Sequence, residues 1–217
     1  MLRHEDFLRT FPVNLKTDRD CETPMVTEWV KKYSPFGSLL DIGAHWSGHH
    51  YAREIRNHVA QYDGIDIQPP DDLTKSILNG YFVGNANDYK FPNIYDAVIC
   101  VSTIEHAGVS TYKGDFLKER LKLFEKALSL TRKHFWISFP VGQPYVCEGE
   151  FSIVTEEHVA AFEQIAKGCT IKKRFFYSQG PQAGHPWYQH VKKDVAFKIC
   201  YLDFVGNQSI CIMEITK

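Results

Sequence analysis

The chain has 217 residues, 44% hydrophobic and 24% charged, with 25 lysines and arginines against 26 aspartates and glutamates and a net charge of −1. A chain this long buries roughly 70% of the surface its unfolded state exposes, so it needs neither disulfide nor metal staples, and its size fits one domain with a small N-terminal extension. The near-neutral balance argues against a nucleic-acid partner, because phosphate binding needs a concentrated cationic face.

Two short basic runs, Lys172-Lys173-Arg174 and Lys192-Lys193, read as solvated faces. The six cysteines (Cys21, Cys100, Cys147, Cys169, Cys200, Cys211) are scattered without a C-x-x-C pair, and Cys100 and Cys211 sit inside apolar runs. That usage fits a reduced, cytoplasmic protein. The opening MLRHEDFLRTF has no apolar signal core, and no segment approaches the length of a membrane span.

Residues 1–20 give no clear pattern. Thr23-Pro24 reads as a helix start, followed by a helix through Met25, Val26, Trp29 and Val30 to about Tyr33, broken by Ser34-Pro35-Phe36-Gly37. Strand and helix then alternate. A buried strand at Ser38–Ile42 leads to a helix from Ser47 to about His58. A second strand, Tyr62–Ile67, ends at Pro69-Pro70, and a short helix opens at Asp71-Asp72. Tyr81–Val83 and Tyr95–Val101 are the third and fourth strands, the latter almost wholly apolar as a central parallel strand is.

Phe116, Leu117, Leu121, Phe124 and Leu128 recur at helical spacing, and Phe135–Phe139 reads as a fifth strand. Thr155-x-x-His158 opens a helix to about Lys167, with Gly168 as its cap, and Thr170–Tyr177 is a sixth strand. Residues 195–205 alternate in a way that favours strand, and Ile210–Ile215 is the last strand. This order implies a doubly wound α/β sheet with helices on both faces.

In such a sheet, ligands bind at the carboxyl ends of the strands, where strand order reverses. There the chain carries LLDIGAHWSG, residues 39–48: an acid at a strand end, then a turn closed by Gly43 and Gly48. Glycines at these points let the backbone turn sharply and approach a ligand, and the amides of the next helix face an anionic group. Asp66 ends the second strand in YDGIDI, 23 residues beyond Gly43, where a carboxylate accepts hydrogen bonds from ribose hydroxyls. VGNAND places Asn85 and Asn87 after Gly84, as adenine-facing amides or as plain turn chemistry.

The set LLDIGAHWSG, GIDI, VGNAND and YDAVICVSTIEHAG resembles the class I S-adenosylmethionine-dependent methyltransferases from about Gly37 to Pro140. The resemblance implies a Rossmann-like methyltransferase fold: a mostly parallel seven-stranded sheet with an antiparallel last strand over residues 37–217, preceded by an extension (1–36) whose helix covers the active site or packs on the sheet edge. It implies S-adenosylmethionine as cofactor, with Asp41, Gly43, Ala44, His45, Gly48, Asp66, Ile67, Asn85, Ala86, Asn87, Val101 and Ser102 as cofactor-binding candidates. Asp41 would lie near the cofactor's amino group, or else brace the loop. The chain departs from the family where Ala44-His45 replaces a second glycine.

Methyl transfer is an in-line displacement for which the protein supplies position and dryness. Glu105 and His106, the catalytic candidates, follow the fourth strand: His106 reads as the base or as a backbone-bonded structural histidine, and Glu105 as a residue that orients the cofactor or His106, or caps the following helix. His45, His49 and His50 cluster, but His45 lies before the helix, so no metal is expected and His45 reads as a pocket wall.

A small-molecule acceptor would meet VGQPYVCEGEF and GHPWYQH, where Tyr145, His185, Trp187 and Tyr188 form an aromatic wall or anchor a long loop. STIEHAGVSTYKGD and FPVGQPY resemble methyltransferases of bacterial sugar and polysaccharide chemistry, which points to a sugar hydroxyl. Competing readings are a non-catalytic methyltransferase-like binder and a nicotinamide-dependent oxidoreductase, the latter opposed by Asp41 preceding the turn. Self-association is left open.

Overall fold

A computed structural model describes residues 19–109, 116–147, 150–178, 189–200 and 208–217. Its strands, in chain order, are β1 (Phe36–Ile42), β2 (Val59–Asp66), β3 (Gly80–Val83), β4 (Tyr95–Val101), β5 (Thr131–Val141), β6 (Val146–Cys147), β7 (Phe151–Ser152), β8 (Thr170–Ser178), β9 (Gln189–Val191) and β10 (Gln208–Thr216). The helices are α1 (Arg19–Tyr33), α2 (Ser47–His50), α3 (Ala52–Arg56), α4 (Asp72–Ile77), α5 (Phe116–Leu130), α6 (Glu156–Ile165) and α7 (Lys193–Ala196), with a 3-10 turn at Ile104–His106.

All seven residues of β4 are buried, so this strand can only be central. The main sheet runs β3-β2-β1-β4-β5-β10-β8-β9. β1 to β5 are mutually parallel, and β10 is antiparallel to both of its neighbours, β5 and β8. The edge strand β9 makes eight strands where seven are expected. Its three residues are too few to carry an alternating pattern.

Side chains alternate across the sheet with period two. Leu40, Ile42, Val98, Cys100, Phe135, Ile137 and Phe139 face α5 and α6, where Phe124 stacks on Phe162 with ring centroids 4.5 Å apart. Leu39, Ala97, Ile99, Val101 and Trp136 face the other way, onto α1 and α3. Both faces are therefore covered, as the doubly wound reading requires.

Three local expectations give way to tertiary packing. α1 runs from Arg19 with Pro24 inside it rather than beginning at Pro24. The backbone bond lost at proline is outweighed by burial of Cys21, Met25, Val26, Trp29 and Val30 against the sheet. The helix after Ser47 breaks at Tyr51, which turns inward to a buried acid and leaves two short helices. Residues 193–196 are helical, not strand, with Ala196 and Phe197 in the core, while 201–207 lie outside the described residues.

Thr155 and His158 form the expected capping box of α6, and Gly168 adopts the left-handed conformation at φ +98°. The basic runs are paired with acids: Lys173 with Glu163, Arg174 with Glu214, and Lys193 with Glu156.

Candidate active site at the sheet crest

Strand order reverses between β1 and β4, whose ends lie side by side with Ile42 opposite Cys100. At this crest Gly43 takes φ +86°, a region that favours glycine. A Cβ there would fall 2.0 Å from Oγ1 of Thr103, so Gly43 is required by close contact with the loop after β4. Gly48 is likewise pressed on Thr74, whose backbone nitrogen would lie 2.8 Å from an added Cβ. Gly43 thus serves loop-to-loop packing and Gly48 the packing of α2 on α4, and Thr74 clamps the turn further: Gly48 N donates to its hydroxyl (3.1 Å), which donates to the His45 carbonyl (3.1 Å).

Asp41 is fully buried, and the hydroxyls of Tyr62 (3.0 Å) and Tyr51 (3.2 Å) donate to its two oxygens. Burial pushes its carboxyl up to about 7, against the hydrogen bonds from Tyr62, Tyr51 and Ser47, which hold it down. Ala44 and Val101 are also buried beneath the crest. Asp41 therefore braces the start of the loop from below.

Asp66, half-buried at the end of β2, accepts the amides of His45 (3.3 Å) and Gln68 (3.0 Å). Ionised carboxylate oxygens have about four acceptor sites between them, so capacity remains for ribose hydroxyls. Beside it, Ile67 (70% exposed) and Val83 (56% exposed), the latter paired in register with Asp66, leave two large apolar side chains outside the core. An acid flanked by exposed apolar groups fits a nucleoside, whose sugar is polar and whose base has flat faces.

The His45 ring donates from Nδ1 to the Pro69 carbonyl (2.5 Å) and His49 meets Asp71 (2.5 Å) across exposed Trp46. Both imidazoles are thus held by second-strand loop residues, and among the described residues no three His, Cys, Asp or Glu side chains converge as a metal site.

The Asn85 side-chain Oδ1 accepts the backbone amide of Asn87, an Asx turn, and the Asn87 side chain donates to Glu119 of α5. Ala86 packs in the core. This segment fastens α5.

Next to the β4 end lies a cavity of about 150 Å³. Arg19, Ser102, Glu105 and His106 line its polar side, and Pro140, Phe151 and Ile210 its apolar side. Ser102 carries a positive φ of 39°, and its hydroxyl donates to buried Glu22 (2.6 Å). Strain of this kind concentrates at functional sites. Arg19 donates to the carbonyls of Val101 (2.8 Å) and Ser102 (3.2 Å).

The His106 ring is exposed, with Nδ1 2.6 Å from the Glu150 carbonyl. A carbonyl only accepts, so Nδ1 carries a hydrogen, and in the neutral ring Nε2 is the acceptor nitrogen. Glu105 is buried, its Oε1 3.9 Å from His106 Nε2. Both catalytic candidates thus reach one cavity. Tyr145 lies near Phe151 (ring centroids 6.4 Å), whereas His185, Trp187 and Tyr188 lie outside the described residues.

Three residues here went unremarked in the sequence: Arg19 and Glu22, in the stretch without a pattern or at its border, and Arg120. Arg120 is a fully buried arginine in the second turn of α5. Burial lowers its pKa to about 10 against the attraction of Glu105, so it stays charged near neutrality. Its signal was an arginine on the helix face of Phe124 and Leu128, a spacing that helical charge patterns alone do not distinguish from a solvated position.

Sheet order, crest and covering helices define the class I S-adenosylmethionine-dependent methyltransferase fold. Solved structures agree. The chain is similar to the YcgJ protein from Bacillus subtilis (TM-score 0.60, 13% identity, covering 91% of this chain and 98% of that one). It is also similar to a SAM-dependent methyltransferase from Archaeoglobus fulgidus (0.57, 15%, 97% and 98%). A third is magnesium protoporphyrin IX methyltransferase (ChlM) from Synechocystis PCC 6803 with bound SAH (0.57, 12%, 91% and 82%). No protein-family model and no curated protein matches the chain.

Proposed function

We propose that the protein is an S-adenosylmethionine-dependent methyltransferase that methylates a small-molecule hydroxyl, on a sugar or polysaccharide precursor. The observation that carries this reading is the placement of His106, whose Nδ1 bond to the Glu150 carbonyl leaves Nε2 as the acceptor of the neutral ring, in a cavity beside the crest that Asp66 and the Gly43 loop form. Asp66, with Ile67 and Val83, would hold the nucleoside, and the 43–48 loop its amino-acid tail. Bound there, S-adenosylmethionine supplies a sulfonium methyl group whose C–S electron pair leaves with sulfur.

The chain's own work is acid–base and steric. As the acceptor oxygen bonds to carbon, His106 Nε2 takes the hydroxyl proton. Pro140, Phe151 and Ile210 exclude water from one side, and Ser102 and Arg19 offer polar contacts on the other. A cavity of about 150 Å³ admits one ring, as an engineered cavity of about that size admits benzene. This volume supports an acceptor presented as one ring or as the end of a longer chain. Trp46, 58% exposed, is not among the described residues that line the cavity, and Trp187 lies outside the described residues.

Calorimetry with S-adenosylmethionine and S-adenosylhomocysteine tests the cofactor, and mass spectrometry of sugar and nucleotide-sugar panels tests the acceptor. Absence of binding at millimolar ligand ends the proposal. Binding without any methylated sugar ends the acceptor assignment alone.

A further inference from the structure

Arg120 makes a set of contacts that join two parts of the cavity wall. Its Nη2 donates to the Glu105 carbonyl (3.0 Å), to the Ser152 hydroxyl (2.5 Å) and to the Ser152 carbonyl. Its Nη1 donates to the Ile153 carbonyl (3.2 Å) and points at His158 Nε2 (3.3 Å). One side of this set is the 3-10 turn that carries His106. The other is the β6–β7 hairpin, in which Cys147 pairs with Phe151 and whose turn includes Glu150. The bond between the two sides at the cavity is His106 Nδ1 to the Glu150 carbonyl, and Phe151 meets the same imidazole edge-on at 6.3 Å.

We propose that Arg120 is a positioning residue for His106: by tying the Glu105 carbonyl to Ser152 and Ile153, it sets the spacing at which Glu150 holds the imidazole as its Nδ1–H tautomer. This rests on the methyl-transfer reading only for its consequence in turnover. The geometric reason is the fork of the guanidinium, which presents several donors in one plane. A lysine keeps the charge but puts one nitrogen on a flexible stem, and so loses the fixed spread by which Nη2 reaches Glu105 and Ser152 while Nη1 reaches Ile153. A fully buried charge surrounded by backbone acceptors also resists displacement, since moving it strands both the cation and the carbonyls. The spacing is therefore rigid, and rigidity of its support is what a base needs to hold one tautomer.

The test is a long-range proton–nitrogen NMR spectrum of the imidazoles in the full chain, with the His106 signal assigned by its loss in His106→Gln. In the unaltered protein the expected pattern has a protonated Nδ1 and an unprotonated Nε2. In Arg120→Lys the expected result is a mixture of tautomers at His106. Ser152→Ala, which removes one acceptor and leaves the arginine in place, gives a smaller shift in the same direction and stands in if Arg120→Lys does not fold. With an acceptor in hand, kcat in Arg120→Lys falls about tenfold, less than the roughly 10²–10⁴ that loss of a general base costs. The affinity for S-adenosylhomocysteine stays within about twofold, because Arg120 does not touch the Asp66 side of the crest.

An unchanged His106 tautomer in both variants overturns the positioning role, whatever the cofactor data show. A tautomer that shifts in a protein that takes up no S-adenosylmethionine keeps the positioning role and removes the methyl-transfer reading.

Discussion

Replacing Asp41 by asparagine keeps the shape of a fully buried side chain and removes its ionisation. In the folded protein, burial holds the carboxyl at about 7, while an exposed aspartate titrates near 3.8. The folded state therefore keeps a proton that the unfolded state has already released. That contribution to stability is complete below about pH 4 and disappears as the pH rises through about 7. A rise of about three pH units, at about 1.36 kcal/mol each, amounts to about 4 kcal/mol.

Asparagine still accepts from one tyrosine and donates to the other, so the brace survives without the charge. Urea unfolding of both proteins, followed by tryptophan fluorescence from about pH 4 to about pH 8, reads the difference. Asparagine is expected to gain on aspartate by about 4 kcal/mol across that range, with most of the change above about pH 5. Parallel stability profiles for the two proteins would refute the claim that Asp41 is buried and bonded as described.

Gly48→Ala forces a methyl into the Thr74 backbone, so stability is expected to drop by about 1–3 kcal/mol in the same urea assay even without ligand. Asp66→Ala removes acceptors from the sugar and from two loop amides; calorimetry is expected to show S-adenosylhomocysteine binding weakened about tenfold to a hundredfold. His106→Gln is expected to lower kcat by about 10²–10⁴ while that calorimetric affinity stays unchanged, since the ring faces the acceptor cavity. A matching loss of cofactor affinity in His106→Gln would place the histidine in the wrong half of the site.

The sequence by itself determined the order and type of most elements. Burial is written locally: a run apolar but for Asp96 made β4 central, and five apolar residues at helical spacing made α5. It also placed Gly43, Asp66, Glu105 and His106 at the ends of strands, and strand ends share one crest in any parallel sheet. Tertiary structure decided why those residues matter.

Gly48 is a glycine because of Thr74, 26 residues on, and Asp41 is braced by a tyrosine 21 residues away. Glu22 meets Ser102 across 80 residues, and Arg120 meets Ser152 across 32. No local pattern encodes such pairs, because each residue's own neighbours in sequence leave it free to be solvated. Only chain closure brings donor to acceptor, and burial then makes the bond obligatory, since a buried polar group left unmatched costs more than the fold can lose.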